Sequence, residues 1–183
     1  MRGYPTFVLA DAAGEEIDRL VGYGGVPDFV RDLGTALADP TTVAQKEARH
    51  RASPTARDAA LLGRILGGRG EVQPAVAYYR QAQELDPGAD YAYPIFETVA
   101  MGFRKQLATA DELKAAAAAA LASPRAEPGQ LLTVGYLMSA YARRFEDPAL
   151  RSPYLEQALA ATADVTDPEL LSDRRDQIGR AHV

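Results

Sequence analysis

Residues 56–89 read ARDAALLGRILGGRGEVQPAVAYYRQAQELDPGA, and the order of small and large side chains in this stretch decides the fold. Ala59, Leu62 and Leu66 recur at helical spacing, and so do Ala75, Tyr79 and Ala82 beyond the glycines at 67, 68 and 70. Apolar residues three and four apart share one face of an α-helix, so the stretch predicts two short amphipathic helices joined by a turn. Gly63, beside Leu62, removes a side chain where the partner helix must come close, and Tyr79 fills the groove between them. Pro87 after Leu85-Asp86 closes the unit, because proline lacks the N–H that would continue the helix.

The pair resembles one tetratricopeptide repeat. Leu62, Gly63, Ala75, Tyr79, Ala82 and Pro87 carry the likeness as packing residues, while Ala59 stands where an aromatic is usual. Later segments keep the helical rhythm without the signature. Tyr93, Phe96, Val99 and Phe103 share one helix face, followed by an alanine-rich partner, and Leu131, Val134, Met138 and Tyr141 face Leu155 and Leu159. Helices are expected at 54–67, 72–85, 91–106, 110–122, 128–145, 149–163 and 168–180. Ser53-Pro54, Asp147-Pro148 and Asp167-Pro168 are read as cap-plus-proline starts and Thr109-x-x-Glu112 as a capping box. The resemblance implies stacked degenerate repeats, of which about three are needed for stability, with Asp173, Arg174, Arg175 and Asp176 on a capping last helix. The alternative is an irregular helical bundle.

Upstream the chain changes character. Thr6-Phe7-Val8-Leu9-Ala10 and Glu16 to Tyr23 read as strands, with Ile17, Val21 and Tyr23 on one side of the second and Asp11-Ala12-Ala13-Gly14 as the turn. An antiparallel hairpin follows, since Gly14 takes positive φ at little cost. Gly24-Gly25 breaks the strand and Pro27 opens a helix whose buried stripe is Val26, Phe29, Val30, Leu33 and Leu37. Residues 39–53 form a polar linker with a turn or two of helix from Thr42 to Arg49. The expected organisation is therefore 1–38, linker 39–53 and a helical domain over 54–183, and the fold class mainly α with an N-terminal β-hairpin plus helix.

Arg2-Gly3-Tyr4-Pro5-Thr6, Phe7-Val8-Leu9, Asp11-x-x-Gly14 and Val21-Gly22-Tyr23 before a closing helix resemble the last hairpin and helix of a thioredoxin-like domain. The likeness implies a cis Tyr4–Pro5 bond and a peptide-binding role for Tyr4, Pro5 and Thr6. It covers only residues 1–38, and the Cys-x-x-Cys half of that fold is missing. A two-stranded hairpin with one helix is marginal alone. The segment must therefore pack on the helices, pair with another molecule, or belong to a longer protein; the last is preferred, with Met1 standing where the family has an aliphatic residue.

Composition removes much chemistry. With no cysteine and two histidines, His50 and His182, there is no thiolate, disulfide or cysteine-held metal, and no catalytic residue, metal or cofactor is expected. His50 is read as solvated, within a basic linker patch of Lys46, Arg49, His50 and Arg51. Gly63-x-x-x-Gly67-Gly68-Arg69-Gly70 lacks the Lys-Ser/Thr of a P-loop and is read as a helix–helix turn. Tyr78, Tyr79, Tyr91, Tyr93 and Tyr136 are divided between a peptide groove and the core, with Tyr79 in the core, and Glu15-Glu16 belongs to a turn and strand edge. A net charge of −5 argues against nucleic acid, and no apolar run is long enough to cross a membrane, so a cytoplasmic location is expected. The resemblances imply a protein or peptide partner, with self-association through the exposed strand edge a further expectation. Two functions stay open: part of a bacterial thioredoxin-family protein whose parent performs thiol–disulfide exchange, this chain being inert, or a non-enzymatic interaction scaffold.

Overall fold

The computed structural model describes residues 5–22, 25–150, 154–168 and 170–172. Tyr4 and its bond to Pro5, Tyr23, Gly24, the expected cap Asp173 to Asp176, and His182 lie outside the described residues. Among those described, the chain is mainly helical with one small antiparallel sheet, and it divides into two compact units, Met1–Ala89 and Asp90–Val183.

The first unit opens with β1 (Thr6–Ala10) and β2 (Glu16–Val21), paired in the register Thr6↔Val21 to Leu9↔Asp18. Asp11 organises the turn by accepting from the amides of Ala13 and Glu15 at 2.9 Å each, and Gly14 takes φ 86°. A bulge between Leu9 and Ala10 leaves Ile17 without a direct partner, so Ile17 and Asp18 are both buried although adjacent. The expected face shared by Ile17 and Val21 is split for this reason, and Val21 is exposed.

Helix α1 (Val26–Leu37) forms with Pro27 in its first turn. Phe29 meets the Phe7 ring of β1 at 4.7 Å, and Ala36 is buried. The rest of the expected buried stripe is a correction: Val26, Val30 and Leu37 are 64, 60 and 59% exposed and Leu33 is half-buried. A two-stranded sheet is too narrow to cover the whole apolar arc of a three-turn helix.

Within the segment expected as a linker, the turn or two of helix expected from Thr42 to Arg49 is a longer helix, α2 (Val43–Ala52), whose amino end is held by a capping box between Thr42 and Gln45. Ser53 closes this helix, and Thr55 caps α3 (Ala56–Arg69) by accepting from the Asp58 amide at 3.1 Å, in place of the expected Ser53 cap. Helix α3 runs through Gly67 and Gly68 and stops at Gly70, which is left-handed at φ 87°, so only that last glycine belongs to the turn. Helix α4 (Val72–Leu85) returns antiparallel and tightly packed, with Leu62, Ala75, Tyr79 and Ala82 buried.

In the second unit α5 (Ala92–Arg104) pairs with α6 (Ala110–Ala122), which starts at the Thr109–Glu112 capping box, and α7 (Pro128–Arg144) packs on α8 (Tyr154–Ala161). A 3₁₀ turn over Pro148–Leu150 and a shorter α8 replace the single helix expected at 149–163. Phe96, Leu113, Val134, Met138 and Leu155 form the interior, and the Tyr141 hydroxyl donates to the Ala100 carbonyl at 2.9 Å.

A Cβ on Gly63 would lie 3.0–3.1 Å from three atoms of the Tyr79 ring, closer than side chains normally approach. Gly63→Leu is expected to destabilise the first unit by about 1–3 kcal/mol through overpacking, despite leucine's better helix propensity, and Gly63→Ala by less. Thermal or urea melts check this; an unchanged or higher midpoint for Gly63→Leu would contradict the close approach.

Candidate functional site

The two edges of the β1–β2 sheet have opposite fates. The Gly22 amide donates to the Pro5 carbonyl at 3.0 Å, so ladder alternation turns the backbone groups of Phe7, Leu9, Asp18 and Leu20 inward and those of Ile17 and Arg19 away from β1. The helices satisfy these outward groups. Lys46 of α2 donates to the Ile17 carbonyl at 3.1 Å, and Arg64 of α3 to the Arg19 carbonyl at 2.7 Å. The Arg19 amide is taken by the Asp18 carboxylate at 2.6 Å, whose two oxygens both receive Arg64 at 2.7 Å.

Lys46 is 1% exposed. Its ammonium also donates to the carbonyls of Asp39, at 3.0 Å, and Thr41, so all three protons have acceptors. Burial pushes its pKa down, opposed by the Asp39 and Asp18 carboxylates. Below it Arg49 bridges Asp39 at 2.8 Å and Asp58 at 2.6 Å. Hydrogen bonding to Arg49 holds both carboxyls below their ordinary range, against the opposing effect of burial. The His50 ring is buried, with Nε2 3.1 Å from the Gln81 amide oxygen and its plane edge-on to Tyr78. The solvated basic patch is thus corrected: Lys46 and His50 are interior, Arg49 is an ion-pair bridge, and Arg51 is exposed.

The glycine run serves the same docking. A Cβ on Gly68 would stand 2.9 Å from Arg19 Cδ and 3.0 Å from Val21 Cγ2, so β2 lies against α3 where α3 has no side chain. Arg69 then reaches Glu16 at 2.9 Å; burial pushes Glu16 up, but Arg19 and Arg69 together outweigh it and leave its carboxyl lowered. Of these contacts, only the Thr42-x-x-Gln45 capping signature was readable from local sequence.

The outer edge of β1 has no strand partner among the described residues. Val8 on β1 and Val26, Val30 and Leu37 on α1 are exposed apolar side chains. Pro5 and Thr6 are exposed at the start of β1, beside that edge, while Tyr4 of the same expected peptide site lies outside the described residues. Leu62, Gly63, Ala75, Tyr79 and Ala82 meet along α3 and α4, and Pro87 is exposed in the turn after them. Tyr78, Tyr91, Tyr93 and Tyr136 are half-buried. Among the described residues no group of three or more histidine or acidic side chains is placed to hold a metal, and no helix is long and apolar enough to cross a membrane. No family model, curated protein or solved structure matches the chain.

Because the folded-state pKa values of Asp39 and Asp58 are depressed, their pairing with Arg49 stabilises the fold fully above the ordinary carboxylate range near 4 and is lost as pH falls through and below it. Arg49→Ala is therefore expected to destabilise the protein at pH 7, and the gap from wild type should shrink as pH approaches 2. Urea melts across that range measure it; a gap independent of pH would exclude the carboxylates as the source.

Proposed function

We propose that this chain is the partner-binding part of a bacterial thioredoxin-family protein whose complete form performs thiol–disulfide exchange, the chain itself acting by contact and not by covalent chemistry. The observation that carries this reading is the flank left open by β1 and α1. The outer backbone edge of β1 has no strand partner among the described residues, and the side chains of Val8 on β1 and of Val26, Val30 and Leu37 on α1 are exposed. Exposing each such side chain forgoes about 1.5–3 kcal/mol of burial, and an unpaired apolar edge strand is a pairing template. A thioredoxin-like domain whose closing hairpin is β1–β2 would cover this flank with the rest of its sheet. The exposed Pro5 and Thr6 would then border the groove that receives substrate peptides.

Disulfide exchange needs a thiolate that attacks sulfur through a mixed disulfide, and no other side chain substitutes for it. With no cysteine in the chain, the parent's reactive pair would stand in the missing half, and no cofactor is invoked.

A second reading has its own support. Lys46, Arg64 and Arg69 tie the hairpin to α2 and α3, so the segment is anchored without any further sheet. A non-enzymatic tetratricopeptide-type scaffold, with the hairpin as its cap and a protein or peptide as its partner, would need nothing more.

The purified chain should not accelerate insulin reduction by dithiothreitol. The nucleotide sequence upstream separates the readings: an in-frame Trp-Cys-x-x-Cys about 45–60 codons before Tyr4, the spacing the thioredoxin-like fold requires, supports the redox parent. A protein extended to include that motif should then accelerate insulin reduction. A stop codon immediately upstream, or a folded extended protein that is inert, would leave the scaffold reading.

A further inference from the structure

Two hydrogen bonds fix which backbone groups of β1 the hairpin uses. The Gly22 amide donates to the Pro5 carbonyl at 3.0 Å at one end, and the Asp11 amide to the Glu15 carbonyl at 2.9 Å at the other. Alternation between them turns the backbone groups of Phe7 and Leu9 toward β2 and those of Thr6, Val8 and Ala10 to the outer edge. Among the described residues no strand pairs with that edge, and no hydrogen bond reaches those outward groups. The edge also lacks the usual protection against pairing. Thr6 to Ala10 include no charged residue and no proline, and the extra residue of the bulge, Ile17, is on β2, so β1 keeps its alternation throughout.

We propose that two copies of this chain pair through β1, antiparallel, about a two-fold axis at Val8. The three outward residues make the edge its own complement. Val8 faces Val8 of the second copy, Thr6 faces Ala10, and each facing pair exchanges two bonds, about six in all. A residue on a two-fold axis meets itself, so a charge there would be repelled, whereas a β-branched pair is favourable. The strand carries no charge with which to select a foreign peptide; symmetry makes a second copy complementary without selection.

On the face that carries α1, this register sets Phe7 opposite Leu9 of the second copy. Both are half-buried in the single chain, and they form non-hydrogen-bonded pairs, in which side chains come closest. An axis perpendicular to the sheet keeps both α1 helices on one face. The Phe7–Phe29 contacts of the two copies then lie diagonally across the junction, about 7–8 Å apart. That is close to the spacing at which helices pack, so the exposed Val26, Val30 and Leu37 of α1 are available to cover one another. Five residues of strand bury too little for a stable dimer, which takes about 1,200 Å² or more, and the helices would supply the remainder. The pairing does not rest on either reading of function, and its failure would leave both as they stand.

Sedimentation equilibrium of the full chain should show a reversible monomer–dimer equilibrium between micromolar and millimolar concentration. Hydrogen exchange should find the amides of Phe7 and Leu9 protected at every concentration, and those of Thr6, Val8 and Ala10 protected only where the dimer forms. Val8→Glu places a carboxylate opposite Arg19 within the hairpin but opposite itself across the axis, and should weaken dimerisation at least tenfold while leaving the melt of the dilute chain near wild type. Since the chain has no cysteine, single cysteines report the register. Val8→Cys should cross-link on oxidation, its two Cα atoms being about 5.5 Å apart, and Thr6→Cys should not, at about 14 Å. A chain that stays monomeric at millimolar concentration would overturn the proposal. So would protection of Thr6, Val8 and Ala10 that ignores concentration, which would mean that another segment of the same chain covers the edge. An unweakened Val8→Glu dimer, or Thr6→Cys cross-linking as readily as Val8→Cys, would exclude this pairing in favour of another interface or register.

Discussion

Lys46 and Arg64 take the place of a third strand on the outer edge of β2. A strand edge turned against helices would bury carbonyls that water can no longer reach, each left unsatisfied at a cost of about 1–3 kcal/mol. Two long cationic side chains from α2 and α3 reach the outward carbonyls of Ile17 and Arg19, and Asp18 takes the amide between them. The arrangement is mutual, since the same carbonyls, with those of Asp39 and Thr41, are what allow an ammonium to be buried at position 46. Remove either side and the other becomes an uncompensated buried polar group. The hairpin, the loop before α2 and the helical pair α3–α4 are thereby joined into one unit.

This explains why the first unit extends to residue 89 when composition suggests a break near residues 39–53. The polar, charged run there is polar because it makes the joint: Asp39, Lys46, Arg49 and His50 face inward to one another, to β2 and to α4. The glycines at 63 and 68 contribute by absence, one admitting the Tyr79 ring and the other the side chains of Arg19 and Val21. They sit five residues apart on one helix and so open two different sides of it, one toward α4 and one toward β2.

The same joint leaves a mismatch on the opposite flank. The outer edge of β2 is sealed by charge, whereas the outer edge of β1 has no strand partner among the described residues and Val26, Val30 and Leu37 of α1 stay exposed. Apolar surface of this kind is what interaction and domain-closing faces are made of. Asp18 is 2% exposed and held bidentately by Arg64, a carboxylate used for construction.

Periodicity and capping chemistry within a few residues were sufficient for several elements, although the expected cap at Ser53 fell instead at Thr55. The helices near 72–85, 110–122 and 128–145, the hairpin at Gly14, the capping box at Thr109 and the small residues facing Tyr79 are local matters of spacing and backbone preference. Only the tertiary structure decided which apolar face is covered and which charged residues are buried. Val26, Val30 and Leu37 have the spacing of a core stripe, but coverage depends on how wide a sheet lies beneath them. Lys46 and His50 read as solvated because burial of a charged or polar group depends on partners at Ile17 and Gln81, 29 and 31 residues away.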